Sequence, residues 1–164
     1  METKQNNLVQ NFLDVFTGFD AVIDRVPKDG LDWAEKGGEW TIREVVHHVA
    51  EDCNVYAFII ERALATPGCN VIFGEFPGNQ PWGKALAWHT RPVEPARSLM
   101  HAHRVYLADL LTSLPDLWEN TVHFKDESGK ELAEQNVIQM TGMLTEHMDE
   151  HTEMIEKIIG ANAR

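Results

Sequence analysis

Four stretches of this chain repeat their apolar residues at three- and four-residue intervals between proline and glycine stops. Only α-helices packed side by side can bury such a pattern. In the first stretch, Leu8, Phe12, Val15, Phe16, Phe19, Val22, Ile23 and Val26 form one stripe from about Asn7 to Val26, ended by Pro27 and Gly30. The second opens on Thr41 and Glu44, an S/T-x-x-E capping box with Trp40 just ahead of it, and runs through Val45, Val49, Tyr56, Ile60 and Leu64 to Pro67. The third lies between Pro95 and Pro115, with Leu99, Tyr106, Leu107, Leu110, Leu111 and Leu114 on its expected buried side. The fourth is expected from about Ala133 to Ile159, with Gly160 as its C-terminal stop.

Two connections are more than simple turns. The segment from Thr66 to Pro92 is rich in proline and glycine yet carries Phe73, Phe76, Trp82 and Trp88. Disordered linkers are poor in aromatics, and a loop this long inside a compact domain is usually functional. It also permits a crossover between parallel helices. The second connection, Trp118 to Leu132, has a β-like run from Thr121 to Phe124 and a turn at Ser128-Gly129, so a small hairpin is expected ahead of the last helix. The fold class is therefore all-α: a four-helix bundle in one domain spanning 1–164, with a β-hairpin-like insert.

The charge balance excludes several partners. Asp and Glu number 26 against 14 Lys and Arg, so the basic surface that phosphate neutralisation requires is missing and no nucleic acid is expected. Anionic membrane surfaces are disfavoured for the same reason. No apolar run reaches spanning length, and Met1 to Asn7 is polar without a signal core. Cys53 and Cys69 are too few for a disulfide framework. A cytoplasmic, reducing location is the expectation.

Histidine makes the sequence specific. His147 and His151 form an H-x-x-x-H pair in the fourth helix, where residues four apart lie one above the other. Met140, Met143, Leu144, Met154 and Ile158 flank them on the apolar side, while Glu146, Asp149, Glu150, Glu153 and Glu156 largely fill the other. Imidazoles in an apolar seam need their polar atoms satisfied. A metal ion would do this, and so would hydrogen bonds to other helices; the pair alone does not decide. In the second helix, His48 falls at the edge of the apolar sector, near Val45, Asp52 and Ile59, whereas His47 falls among Arg43, Glu44, Glu51 and Asn54 and is expected at the surface. Adjacent helices pack closely enough for His48, His147 and His151 to share one ion. His103 shares a face with Leu99, Tyr106 and Leu110 and is expected as a satisfied core histidine, or else to line a substrate space or complete the metal shell. His89, His101 and His123 are expected in loops or at the surface. No Gly-rich phosphate loop, H-E-x-x-H, G-x-S-x-G or C-x-x-C is present, and Cys53 reads as a small buried hydrophobe.

The run Trp40-Thr41-Ile42-Arg43-Glu44-Val45-Val46-His47-His48, followed far downstream by Glu146-His147-Met148-Asp149-Glu150-His151, resembles the DinB/YfiT-like superfamily across essentially the whole chain. The resemblance implies an up-down-down-up four-helix bundle, often a homodimer. It implies a divalent metal, zinc or nickel, on three histidines that correspond here to His48, His147 and His151. It also implies chemistry on a small-molecule substrate, in some relatives with a low-molecular-weight thiol as cosubstrate. Many members place Arg, Gln or further histidines after the second helix-four histidine; here Thr152, Glu153 and Met154 follow.

Three neutral imidazoles leave a cation its charge and an open position, as in catalytic zinc sites, and such an ion lowers the pKa of a water or thiol. A metal-dependent S-transferase or hydrolase is thus expected. A non-catalytic dimeric bundle with a structural or sensed metal is the alternative. Asp52 and Glu44, one turn either side of His48, are candidates to orient its ring, and the aromatic crossover is expected to cover the open position.

Overall fold

The computed structural model describes residues 2–38, 40–73 and 77–162. Four long helices dominate: α1 (Glu2–Asp24), α2 (Ile42–Ala65), α4 (Glu94–Ser113) and α5 (Val137–Asn162), with a short α3 (Gln80–Ala85) in the crossover. Three strands, β1 (Cys69–Ile72), β2 (Thr121–Lys125) and β3 (Glu131–Asn136), complete the structure. Among the described residues no helix is long and apolar enough to cross a membrane.

Local chemistry sets the helix ends. Thr41 Oγ1 accepts from the Glu44 backbone N–H, and Glu44 Oε2 accepts from the Thr41 N–H at 2.9 Å, so the expected capping box starts α2. The last long helix differs from expectation at both ends. Residues 133–136 belong to β3, and α5 begins only after Asn136, whose side chain accepts from Gln139 N while Gln139 Oε1 accepts from Asn136 N, both at 2.9 Å. Gly160 does not stop the helix, which continues to Asn162. Glycine alone does not impose a stop.

The bundle packs α1 against α4 and α5, and α2 against the same two, so α1 and α2, although consecutive, face each other across it. Phe12, Phe16, Phe19, Val22 and Ile23 form the buried stripe of α1. At the sheet end they meet Ile60, Leu107, Leu111, Val122 and Met140; at the other end they meet Ile42, Val45, Val49, Met100, Met148 and Ile155. Burying one such side chain contributes roughly 1.5–3 kcal/mol.

The inward face of α4 differs from the sequence reading. Leu99 and Tyr106 are exposed, while Met100, Arg104, Leu107, Ala108 and Leu111 face inward. Arg104 is 1% exposed. It donates to Phe12 O at 2.6 Å and Leu144 O at 2.8 Å, and its guanidinium carbon lies 4.2 Å from the centre of the Phe12 ring. A charged residue thus occupies a core position and ties α4 to α1 and α5.

The expected hairpin is present as β2 and β3, turning at Gly129 with φ +85°. Strand β1, in the crossover, was not expected. It pairs parallel to β2 (Cys69 with Val122, Val71 with Phe124), and the buried side chains of Val71, Val122 and Phe124 join the sheet-end core beside α2.

Candidate metal centre

His48 on α2 and His147 and His151 on α5 come together with their Nε2 atoms converging. Nε2 of His147 lies 3.2 Å from that of His48 and 3.0 Å from that of His151. The three rings meet edge to face, with centroids 4.5–5.0 Å apart.

The outer ring nitrogens decide what the inner ones can do. His48 Nδ1 lies 2.8 Å from the carbonyl of Gly78, and His147 Nδ1 lies 3.0 Å from Asp52 Oδ2. Both partners only accept, so both Nδ1 atoms donate and, in the neutral rings, both Nε2 atoms are bare. Two bare nitrogens 3.2 Å apart cannot hydrogen-bond to each other. His151 can give its Nε2 proton to His147, but that leaves His48 unanswered, and His151 Nδ1 has no hydrogen-bond partner among the described residues. Three converging imidazole nitrogens are a donor set suited to a divalent transition metal such as zinc, so the residues present fit such an ion.

Burial keeps the His48 and His151 rings neutral. It pushes the His48 pKa down, partly offset by Asp52. Burial, followed by the neighbouring His147 and His48, holds His151 down at about 3.

The residues around the three histidines only partly match expectation. Asp52 does orient a ring, but it is His147 on the facing helix rather than His48 one turn away, to whose Nε2 it comes only to 3.6 Å. Glu44 serves the helix cap. His47, expected at the surface, is 2% exposed with its ring 3.4 Å from Arg91 O. His103 is half-buried, its Nε2 lacks a partner among the described residues, and its charged neighbour is Glu61 rather than the triad. His123, expected in a loop or at the surface, stands half-buried within the expected β-like run, on β2 beside Glu131.

Aromatic cover comes from Trp40 and Trp88. The centre of the Trp40 ring lies 4.3 Å from that of His48 and 6.5 Å from that of His151, and the Trp88 ring centre lies 6.2 Å from that of His48. Of the other aromatics expected to form a lid, Phe73 instead packs on Phe124 beside the sheet, and Phe76 lies outside the described residues. Trp40 was visible in the sequence as the apolar residue ahead of a cap and the first residue of the run that carries the family resemblance, not as cover for the histidines. Beyond the two tryptophans is a cavity of about 550 Å³ whose walls also include Glu44, Pro81, Lys84 and His89.

The sequence model of the DinB superfamily matches residues 13–155. Among solved structures, the fold is shared with YfiT from Bacillus subtilis, described as a probable metal-dependent hydrolase with an unusual four-helix bundle topology. The TM-score is 0.83 at 16% identity, over 99% of this chain and 90% of that one. A mycothiol-dependent maleylpyruvate isomerase matches with TM-score 0.62 at 14% identity; it covers 92% of this chain, which spans 60% of the isomerase. No curated protein matches the chain by sequence.

Proposed function

The chain belongs to the DinB superfamily, and on that footing we propose that His48, His147 and His151 hold one divalent cation, zinc or nickel, in an enzyme acting on a small electrophilic substrate. The reaction is transfer of a low-molecular-weight thiol, or hydrolysis by water. The observation that carries this reading is the 3.2 Å approach of two Nε2 atoms whose rings both donate from Nδ1, a contact unfavourable between neutral rings and relieved by a shared cation.

When bound, such an ion supplies Lewis acidity, lowering the pKa of a thiol or water near it. The chain does the rest. Asp52 accepts the His147 Nδ1 proton and fixes that ring, as Gly78 O does for His48. Trp40 and Trp88 keep water from one side of His48, and their outer surfaces help wall the neighbouring cavity, which is large enough for a small organic molecule. Support for the chemistry comes from the fold shared with a probable metal-dependent hydrolase and a mycothiol-dependent isomerase. In the same reading the long helices run up, down, down, up, and the protein is a cytoplasmic homodimer, which light scattering would test.

Elemental analysis of the purified protein beside a His48, His147 and His151→Ala triple variant tests the site. One metal per chain is expected in the first and none in the second; equal metal in both would sink the assignment. Turnover of a thiol with an electrophile panel, with and without chelator, then separates transfer from hydrolysis and both from a purely structural ion.

A further inference from the structure

We infer that the crossover between α2 and α4 clasps the ligand set through Gly78, a positioning residue whose carbonyl selects the tautomer of His48 and whose missing side chain leaves Asp52 the room to hold His147. The inference rests on the metal reading above.

Gly78 is buried and has φ +84°, a conformation side chains rarely adopt. Backbone angle alone does not single it out. Gly37, Gly68 and Gly129 also have positive φ, yet a Cβ added to any of them would meet nothing within 4 Å. At Gly78 a Cβ would lie 2.7 Å from Asp52 Oδ1 and 3.3 Å from His48 Nδ1. The first distance is too short, and the atom struck belongs to the carboxylate that orients His147. The loop backbone therefore approaches the site as closely as its chemistry allows.

Its carbonyl faces a competitor. Asp52 Oδ2 lies 3.6 Å from His48 Nε2 and would draw the ring proton onto that atom. A proton there blocks the lone pair that a metal needs. Gly78 O, at 2.8 Å from Nδ1, holds the proton on the other nitrogen, and no other acceptor for Nδ1 occurs among the described residues. The His48 tautomer is thus set from a loop thirty residues further along the chain. Metal capture and loop closure become linked, each favouring the other.

The test uses the full-length chain as wild type and as Gly78→Ala, Gly129→Ala and His48→Ala. Zinc affinity is read by competition with a chromophoric chelator, and ring tautomers of the metal-free proteins by long-range ¹H–¹⁵N spectra, with His48→Ala assigning the signal. Wild-type His48 is expected as the Nδ1–H tautomer. Gly78→Ala is expected to shift it toward Nε2–H and to weaken zinc binding by about 10- to 100-fold. Gly129→Ala, which carries comparable backbone strain in the hairpin turn, should match wild type in both. Wild-type His48 protonated on Nε2 overturns the proposal, and that spectrum decides even if Gly78→Ala does not fold. Unchanged affinity in Gly78→Ala overturns it, and so does lost affinity with the tautomers of His48 and His147 both unchanged, which would mean a packing defect. If wild type binds no zinc, the metal reading falls, while the tautomer comparison still judges the clasp.

Discussion

Asp52 Oδ2 lies 3.0 Å from His147 Nδ1, so a carboxylate on α2 grips a ring on α5 and the two helices together fix its orientation. Asp52→Ala leaves that ring free to rotate and to exchange tautomers. Zinc affinity should fall by about 10- to 100-fold with the helical circular dichroism unchanged. Affinity within twofold of wild type would show that packing alone orients His147.

Acid should weaken the metal-free protein well above the range where carboxylates titrate. Burial lowers the pKa of His47, His48, His103 and His151 below the ordinary 6.5, His151 to about 3. The unfolded chain therefore takes up protons first, and stability falls as pH drops below about 6.5 toward the folded values. Urea midpoints measured at pH 7.5 and pH 5.0 should be lower at the acid value; equal midpoints would contradict the burial assigned to these rings.

Arg104 gives a test of core composition. Both carbonyls it engages lie inside helices and already accept the helical N–H, so its removal strands few groups. Arg104→Met, apolar and similar in length, should cost little, whereas Arg104→Ala opens a cavity and should cost about 2–5 kcal/mol. Chemical denaturation of both variants distinguishes this from a role for the charge itself, in which case the two losses would be alike.

The two cysteines should react very differently. Cys53 is buried beside Arg104, and burial raises its thiol pKa; Cys69 is half-buried at the start of β1. A disulfide reagent at pH 8 should label Cys69 in the native protein and reach Cys53 only on unfolding. Fast labelling of both would indicate that the bundle opens near Asp52.

The parts of this architecture legible in sequence were those with a local cause. The α2 cap, the apolar stripes of α1, α2 and α5 and the turn at Gly129 depend on neighbours in the chain, and so does the inward placing of His48. What escaped depends on distant partners. Strand β1 is four residues long and exists because β2 lies beside it. Arg104 is charged, so helical periodicity turned the face of α4 toward Leu99 and Tyr106. His47 is covered by the crossover near Arg91, and Asp52 reaches across to another helix. Gly78 has no local mark among the chain's eleven glycines; only its closeness to His48 and Asp52 distinguishes it.

The three histidines stand on two long helices braced by both ends of the core, whereas Pro81, Lys84, Trp88 and His89, along the cavity wall, come from the crossover. Most of the cavity wall is thus encoded apart from the three histidines, with Trp40 and Glu44 shared between them. Provided Gly78 and Trp88 keep their places, changes at Pro81, Lys84 and His89 would reshape that cavity without touching the helices that carry the three nitrogens, so a chain of this kind would change diet without rebuilding the hearth.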